Sequence, residues 1–318
     1  MIEKTQQIRD FIQEASWLQG EISCEFLAAG EYNENYVITS GDTRYVFRIN
    51  HGTQLGLDNQ IEYEYQVLQA VKNSGVTPVP YRYDVHAGKL GKGALLMEYL
   101  PGVALDYQQD LEAAARIFAR IHRQPLDDRL IVQGNPARDI AAESHELIHR
   151  YSGPHYQNVR TRLLEYHDHI VKGSEKMAAL YGNEQYCIVN TEVNSGNFRI
   201  DETRACLVDW EKAVVSYRYQ DLAHFFIPTT TLWKTRFRFT EQQKYTFLQN
   251  YLEAGETELS VDEAYEKTLL MERVILLRAL SWCYMAYHEY TAADRELAHD
   301  DTFATITNYL NEAECFLE

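Results

Sequence analysis

The residues best suited to chemistry lie in one short part of the chain, between Cys187 and Asp209. The apolar run Cys187–Val189 predicts a buried strand, and a loop rich in asparagine and glutamate follows it. Two further β-type runs, at 197–200 and 205–208, are separated by turn residues and predict a hairpin. The second of these runs ends directly on Asp209.

A hairpin of this kind brings Asn197 and Asp209 to the same end of two paired strands, beside Glu192 on the incoming loop. One amide oxygen and two carboxylates are hard oxygen ligands, which suit Mg²⁺ together with its waters and substrate phosphates. The sequence therefore predicts a magnesium site at this end of the hairpin. The structural alternative is a set of turn residues that only cap the hairpin.

The same segment resembles the catalytic core of the aminoglycoside phosphotransferase and choline kinase family, whose members are related to protein kinases. That family reads roughly His-Gly-Asp-x-x-x-x-Asn, then a hairpin, then Ile-Asp-Trp-Glu and Tyr-x-Asp-Leu-Ala. The counterparts in this chain are, in order, Asn190-Thr191-Glu192 with Asn197, Val208-Asp209-Trp210-Glu211, and Tyr219-Gln220-Asp221-Leu222-Ala223.

The resemblance implies a catalytic role for Glu192, which would accept the proton of the substrate hydroxyl, with Asn190 in the place of the family's histidine. It also implies that Asn197 and Asp209 hold the metal ions on ATP, and that Asp221 braces the loop. Glu192 replaces an aspartate and reaches one methylene further, and a misplacement of ~1 Å costs ~10²-fold in rate when catalysis depends on positioning. The prediction is an active enzyme, with a nucleotide-binding pseudokinase as the alternative.

Strands at 22–27, 36–39 and 44–49 and a helix at 57–72 predict an N-terminal lobe. By the resemblance, residues 28–35 take the place of a phosphate-covering loop. Arg48, on the third strand, takes the place of the kinase lysine that binds ATP phosphates. Glu64 best matches the helix glutamate that pairs with this cation, and Glu62 is the fallback. The structural alternative is a surface arginine and a surface glutamate.

The run 93–100, which leads into Pro101-Gly102, resembles the hinge between the lobes of a kinase. Backbone N–H and C=O groups near Glu98, Tyr99 and Leu100 would grip adenine there. Beyond residue 106 the apolar spacing becomes helical. The expected fold is α+β and protein-kinase-like, with two lobes. A small antiparallel-sheet lobe would span 1–97, a hinge 98–102, and a mostly helical lobe 103–318.

A competing motif lies in the helical half, where His145-Glu146-Leu147-Ile148-His149 fits H-E-x-x-H. On a helix this spacing puts two imidazoles on one face for zinc, with Glu146 as the general base. A third ligand could come from Glu165, His167 or His169. The motif predicts a zinc metallohydrolase as a further alternative, against a solvated helix face as the structural one.

The composition limits the classes of partner. The chain has 318 residues and a formal net charge of −17, and it shows no basic stripe, which argues against nucleic acid. No stretch is long and apolar enough to predict a membrane span. The five cysteines are odd in number and lack CxxC spacing, which predicts reduced thiols in a cytoplasmic protein. An oligomeric state does not follow from the sequence.

The acidity also fits a cationic substrate, which an acidic cleft would attract. Glu211 could face either a second metal ion or the substrate amine. Trp233 could join an aromatic wall for a quaternary ammonium or an aminosugar, although the aromatic spacing at 282–290 is more typical of a helix core. The sequence thus predicts ATP- and Mg²⁺-dependent phosphorylation of a hydroxyl on a small cationic metabolite, either an aminosugar or an amino alcohol.

Overall fold

An antiparallel sheet of five strands forms the N-terminal lobe. The computed structural model describes residues 2–30, 32–53, 55–291 and 300–317. Glu31, in the predicted phosphate-covering loop, lies outside them. The spatial order of the strands is β1-β2-β3-β5-β4, and every neighbouring pair is antiparallel. The strands are β1 (Ile22–Ala29), β2 (Asn33–Ser40), β3 (Thr43–Asn50), β4 (Pro80–Asp84) and β5 (Gly93–Glu98).

Two helices, α1 (Ile2–Glu14) and α2 (Gln60–Val71), cover opposite faces of this sheet. Side chains alternate along a strand, so Phe47 of β3 packs on the α1 side whereas Val46 packs on the α2 side. Arg48 is two residues from Val46 and therefore points to the same face. The pleat of β3 alone thus directs this arginine toward α2 and the helical lobe.

The C-terminal lobe is mostly helical. Its helices are α3 (Leu111–His122), α4 (Pro136–His149), α5 (Gln157–Tyr181), α6 (Tyr219–Phe226), α7 (Pro228–Thr231), α8 (Glu241–Gly255), α9 (Val261–Tyr290), α10 (Asp300–Asn311) and α11 (Ala313–Phe316). The longest helix, α9, packs against α4, α5, α6, α8 and α10 and forms the centre of the lobe. Among the described residues, no helix combines the length and the apolar character needed to span a bilayer.

Four short strands form two small sheets within this lobe: β6 (Cys187–Val189), β7 (Phe198–Ile200), β8 (Ala205–Leu207) and β9 (Val214–Ser216). The predicted hairpin is β7–β8, but Asn197 lies in a 3-10 turn, Ser195–Asn197, just before β7 rather than in the strand. Strand β9, which pairs with β6, was not predicted. The predicted α+β architecture of two lobes is confirmed.

The connection between the lobes is bound to the β7–β8 hairpin. Val103 and Ile200 exchange two backbone hydrogen bonds of 2.9 Å each. Arg204, in the turn of the hairpin, donates to the carboxylate of Glu98 at 2.5 Å. Gly102 has a φ of +116°, and a Cβ at this position would lie 2.6 Å from the carbonyl oxygen of Ile200. Only glycine fits this close approach of two backbones. We call these contacts the connector clasp.

Because of the close packing at Gly102, we expect a Gly→Ala substitution there to have the opposite effect on stability to the same substitution at Gly173. Gly102→Ala forces a side chain against a backbone and into a strained φ, so it should lower the free energy of unfolding by about 1–3 kcal/mol. Gly173→Ala, within α5, meets no atom within 4 Å and should raise it by roughly 0.5–1 kcal/mol. Urea denaturation of both variants would measure the difference. Equal stability of the two variants would contradict the close packing at Gly102.

Candidate active site

A buried carboxylate anchors the loop that follows β6. Asp221, in the first turn of α6, is fully buried and accepts the backbone N–H of Asn190 and that of Thr191, each at 2.8 Å. His122 Nε2 lies 3.2 Å from the same carboxylate, and its Nδ1 lies 2.9 Å from the hydroxyl of Tyr251. Burial lowers the pKa of His122, which keeps the ring neutral. The neutral ring therefore donates from Nε2 to Asp221 and accepts at Nδ1 from Tyr251.

The anchored loop contains a strained residue. Thr191 has a φ of +66°, an outlier for a β-branched residue, at the position where the resembled family has glycine. Two further contacts hold this conformation. The Thr191 hydroxyl donates to the carbonyl of Lys212 at 3.0 Å, and Arg278 donates to the carbonyl of Thr191 at 3.3 Å. Asp209 is also left-handed, with a φ of +65°. Such strain is typical of functional sites.

Two asparagines fix the loop to the hairpin. The Asn190 side chain donates to the carbonyl of Asp209 at 2.7 Å and accepts the N–H of Glu192 at 3.0 Å. The Asn197 side chain donates to the carbonyl of Glu192 at 2.7 Å. Both side chains therefore set the backbone position of Glu192. The amide oxygen of Asn197 is the ligand atom that this residue could offer to a metal ion.

Three carboxylates converge in the cleft between the lobes. Oxygen atoms of Glu192, Asp209 and Glu211 all lie within 4.8 Å of one another, and this is the one group of such geometry among the described residues. Burial and the charge of Asp209 raise the pKa of Glu211 to about 8. Burial raises the pKa of Glu192 as well, although Lys212 opposes this shift. Crowded carboxylates that repel one another fit a divalent, oxygen-seeking cation such as Mg²⁺.

Arg48 connects the N-terminal lobe to these carboxylates. Its guanidinium is buried and donates to Glu64 of α2 at 2.6 Å, to Asp209 at 3.0 Å and to Asn35 at 3.0 Å. Burial lowers the pKa of Arg48, but Glu64 and Asp209 outweigh it and keep the group charged. The second carboxylate oxygen of Glu64 is buried without a hydrogen bond. The fallback residue, Glu62, instead accepts from Tyr83.

Several residues of the site escaped the sequence reasoning. Asn33 donates to Glu211 at 2.5 Å and accepts from Asn50 at 2.9 Å, which ties the start of β2 to the carboxylates. Gln60 donates to the carbonyl of Glu211 at 2.8 Å. Lys212 Nζ lies 3.5 Å from Glu192 Oε1. The asparagines of the loop at 28–35 were a signal for Asn33, whereas Gln60 and Lys212 carry no signal in their spacing.

Comparison with known proteins decides the family. The sequence profile described as "Phosphotransferase enzyme family" matches residues 23–265 of this chain. The chain belongs to this family. The predicted resemblance to aminoglycoside phosphotransferases and choline kinases is therefore confirmed. A comparison with curated protein sequences gave no match.

Solved structures show that the phosphotransferase shares its fold with small-molecule kinases. A Plasmodium vivax ethanolamine kinase has a TM-score of 0.68 at 14% identity, over 96% of this chain and 86% of that one. A choline kinase from Streptococcus pneumoniae has a TM-score of 0.62 at 20% identity, over 97% and 99%. A spectinomycin phosphotransferase, solved with ADP and spectinomycin, has a TM-score of 0.58 at 12% identity, over 94% and 93%.

The other residues predicted for the nucleotide, substrate and zinc sites lie outside this group of carboxylates. The Glu98 carboxylate accepts from the backbone of Val79 and from Arg204, and the Tyr99 ring lies 3.8 Å from the guanidinium of Arg44. Leu100 is buried. Trp233 packs edge-on against Trp282, at 6.0 Å between ring centres. The H-E-x-x-H residues His145, Glu146 and His149 lie on an exposed face of α4.

The raised pKa of Glu211 predicts a pH dependence of stability. Between its ordinary value of 4.5 and about 8, the native phosphotransferase keeps a proton that the unfolded chain has lost. Stability therefore falls as the pH rises through this window. Glu211→Gln removes the titration, so it should raise the free energy of unfolding at pH 8 by at least about 1 kcal/mol and change little near pH 5.

Denaturation of the metal-free protein in EDTA at both pH values would measure this effect. Glu202→Gln, in the exposed turn of the same hairpin, is the matched control and should show no gain at either pH. A Glu211→Gln variant that keeps the wild-type pH profile would exclude Glu211 as the source.

Proposed function

We propose that this phosphotransferase transfers the γ-phosphoryl group of ATP, with Mg²⁺, to a hydroxyl of a small cationic metabolite. The observation that carries the proposal is the convergence of Glu192, Asp209 and Glu211 within 4.8 Å, opposite the buried Arg48. One group of carboxylates thus faces one fixed cation across the cleft. This is the charge arrangement that phosphoryl transfer requires, because the protein mainly positions the reactants and stabilises charge.

The nucleotide would be held from both lobes. Arg48, oriented by Glu64 and Asn35, offers a forked guanidinium to the phosphates. Backbone groups at Glu98, Tyr99 and Leu100 would bind adenine in the connection between the lobes. Asp209 and Asn197 would hold Mg²⁺, with Glu211 as a further ligand. When bound, Mg²⁺ neutralises the charge of the β- and γ-phosphate oxygens. The ADP in the solved complex of the spectinomycin phosphotransferase supports a nucleotide in this fold.

Glu192 would orient the acceptor hydroxyl and accept its proton. Its raised pKa suits this role, because a base with a pKa nearer neutrality accepts a proton more readily. Lys212 lies 3.5 Å from its carboxylate and opposes protonation, while Asn190 and Asn197 fix its backbone. The longer glutamate thus has a dedicated support, which favours an active enzyme over the pseudokinase alternative.

The acceptor is best matched by an amino alcohol or an aminosugar. The chain carries a formal net charge of −17, and the cleft presents three carboxylates. Both attract a cation and disfavour an anionic acceptor. Ethanolamine and choline, for which two of the similar structures are named, are amino alcohols with a single hydroxyl. The low identities to these structures mean that they support the fold and the class of acceptor, but not one compound.

We expect nucleotide binding to stabilise the folded phosphotransferase. ATP with Mg²⁺ should raise the free energy of unfolding, by about 2.7 kcal/mol when the ligand is present at 100 times its dissociation constant. Asp209→Asn should abolish the part that depends on Mg²⁺, because asparagine tolerates the left-handed backbone but lacks the charge. Thermal shift with and without Mg²⁺ would measure both, and Asp42→Asn, in an exposed turn, is the control. An identical shift in Asp209→Asn would contradict the metal role.

We expect turnover to depend on the carboxylate of Glu192. Glu192→Gln should lower kcat about 10²–10⁴-fold with little change in nucleotide binding, because it removes a general base. Glu192→Asp should retain more activity but lose about 10²-fold through a shift of roughly one methylene. ADP release would be measured with choline, ethanolamine and aminosugars as acceptors, and Glu202→Gln would serve as the control. Nucleotide binding without ADP release for any acceptor would instead support the pseudokinase.

A further inference from the structure

A cluster of histidines joins two helices on the surface of the C-terminal lobe. His145 and His149 lie one turn apart on α4, and His167 lies on the neighbouring helix α5. The ring centre of His145 lies 4.0 Å from that of His149 and 5.2 Å from that of His167. The H-E-x-x-H motif supplies only the first two of these rings. The third is brought in by the packing of α4 on α5.

The hydrogen bonds of two rings fix which nitrogen is available. His149 Nδ1 lies 2.8 Å from the backbone carbonyl of His145, and His167 Nδ1 lies 3.2 Å from the carboxylate of Asp168. A carbonyl or an ionised carboxylate can only accept, so each Nδ1 carries a proton, and in the neutral form of each ring Nε2 keeps a free lone pair. This is the tautomer of most metal-bound histidines, whose other nitrogen donates to a carbonyl or carboxylate.

The chemistry of the three side chains selects the kind of ion. A bound dication would use one nitrogen lone pair from each ring. Imidazole nitrogen is a borderline ligand that prefers Zn²⁺, Cu²⁺ or Ni²⁺ to Mg²⁺.

The three rings would share one ion after rotation of side chains, because their nitrogens are not all within 4.8 Å of one another as they stand. Two imidazoles on a tetrahedral zinc, with Zn–N bonds of about 2.0 Å, have ring centres about 5 Å apart. The two separations from His145 are 4.0 and 5.2 Å. The rings of His145 and His149 stack on each other, so ligation requires rotation of these two side chains. Both are exposed and free of packing on their outer side.

We propose that His145, His149 and His167 form a site for one divalent transition-metal ion such as Zn²⁺, with Asp168 orienting His167. The ion would link α4 to α5. The site is independent of the proposed kinase activity and differs from a metallohydrolase centre. Glu146 lies on the same exposed face, where nothing shields a reacting water from solvent.

Zinc titration of the untagged full-length protein, after treatment with EDTA, would test the site. Isothermal calorimetry should show one zinc ion bound per chain. His149→Ala and His167→Ala should each weaken binding at least about tenfold, since even a supporting partner is worth that much at a metal site. His169→Ala is the matched control, because it removes an exposed histidine two residues from His167. It should bind zinc like the wild type.

A second measurement separates the link between helices from binding by α4 alone. Zinc should raise the melting temperature of the wild type and of His169→Ala more than that of His167→Ala, because the third ligand strengthens binding to the native state. Asp209→Asn should keep this effect, which excludes the carboxylates of the cleft as the zinc site. Absence of zinc binding, or unchanged binding in His149→Ala or His167→Ala, would overturn the proposal.

Discussion

The candidate site depends on one buried negative charge. The carboxylate of Asp221 has no contact with solvent and is satisfied by two loop N–H groups and by His122. An unpaired charge in this position would be strongly destabilising, so these partners and the carboxylate require one another. Tyr251 of α8 completes the chain of hydrogen bonds through His122. Three helices of the C-terminal lobe thus fix a loop whose own conformation, at Thr191, is unfavourable.

The N-terminal lobe contributes the opposite charge. Arg48 is fixed by the pleat of β3 and by Glu64, and it reaches across the cleft to Asp209. The site therefore combines a rigid cation from the sheet with a cluster of carboxylates from the helical lobe. The polar residues Asn33 and Gln60 also cross the cleft, where both donate hydrogen bonds to Glu211.

The sequence could predict those features that depend on local periodicity or on ordered motifs. The resemblance assigned Arg48 to a strand and Glu64 to the following helix, and the alternation along β3 explains why the arginine faces α2. The contacts of Lys212 and Arg278 could not be predicted, because both reach the loop from segments remote from it in sequence. The 3-10 turn at Asn197 was mistaken for a strand, because three residues give too short a pattern to tell the two apart. The sequence named His167 as one of three candidates for a third ligand, but only the packing of α5 on α4 shows that its ring lies beside His145.

The connector clasp holds one end of the five-stranded sheet, so a rotation about the clasp would displace the opposite end most. In β3, Tyr45 pairs with Glu98 near the clasp, whereas Asn50 pairs with Gly93 at the opposite end, five residues away. This separation is about 17 Å along the strand. A rotation of only 10° about the clasp would move the far end by about 3 Å, which exceeds the reach of a hydrogen bond. If the lobes separated by such a rotation, the hydrogen bond between Asn33 and Glu211 would break first. The backbone hydrogen bonds between Val103 and Ile200 would stay intact.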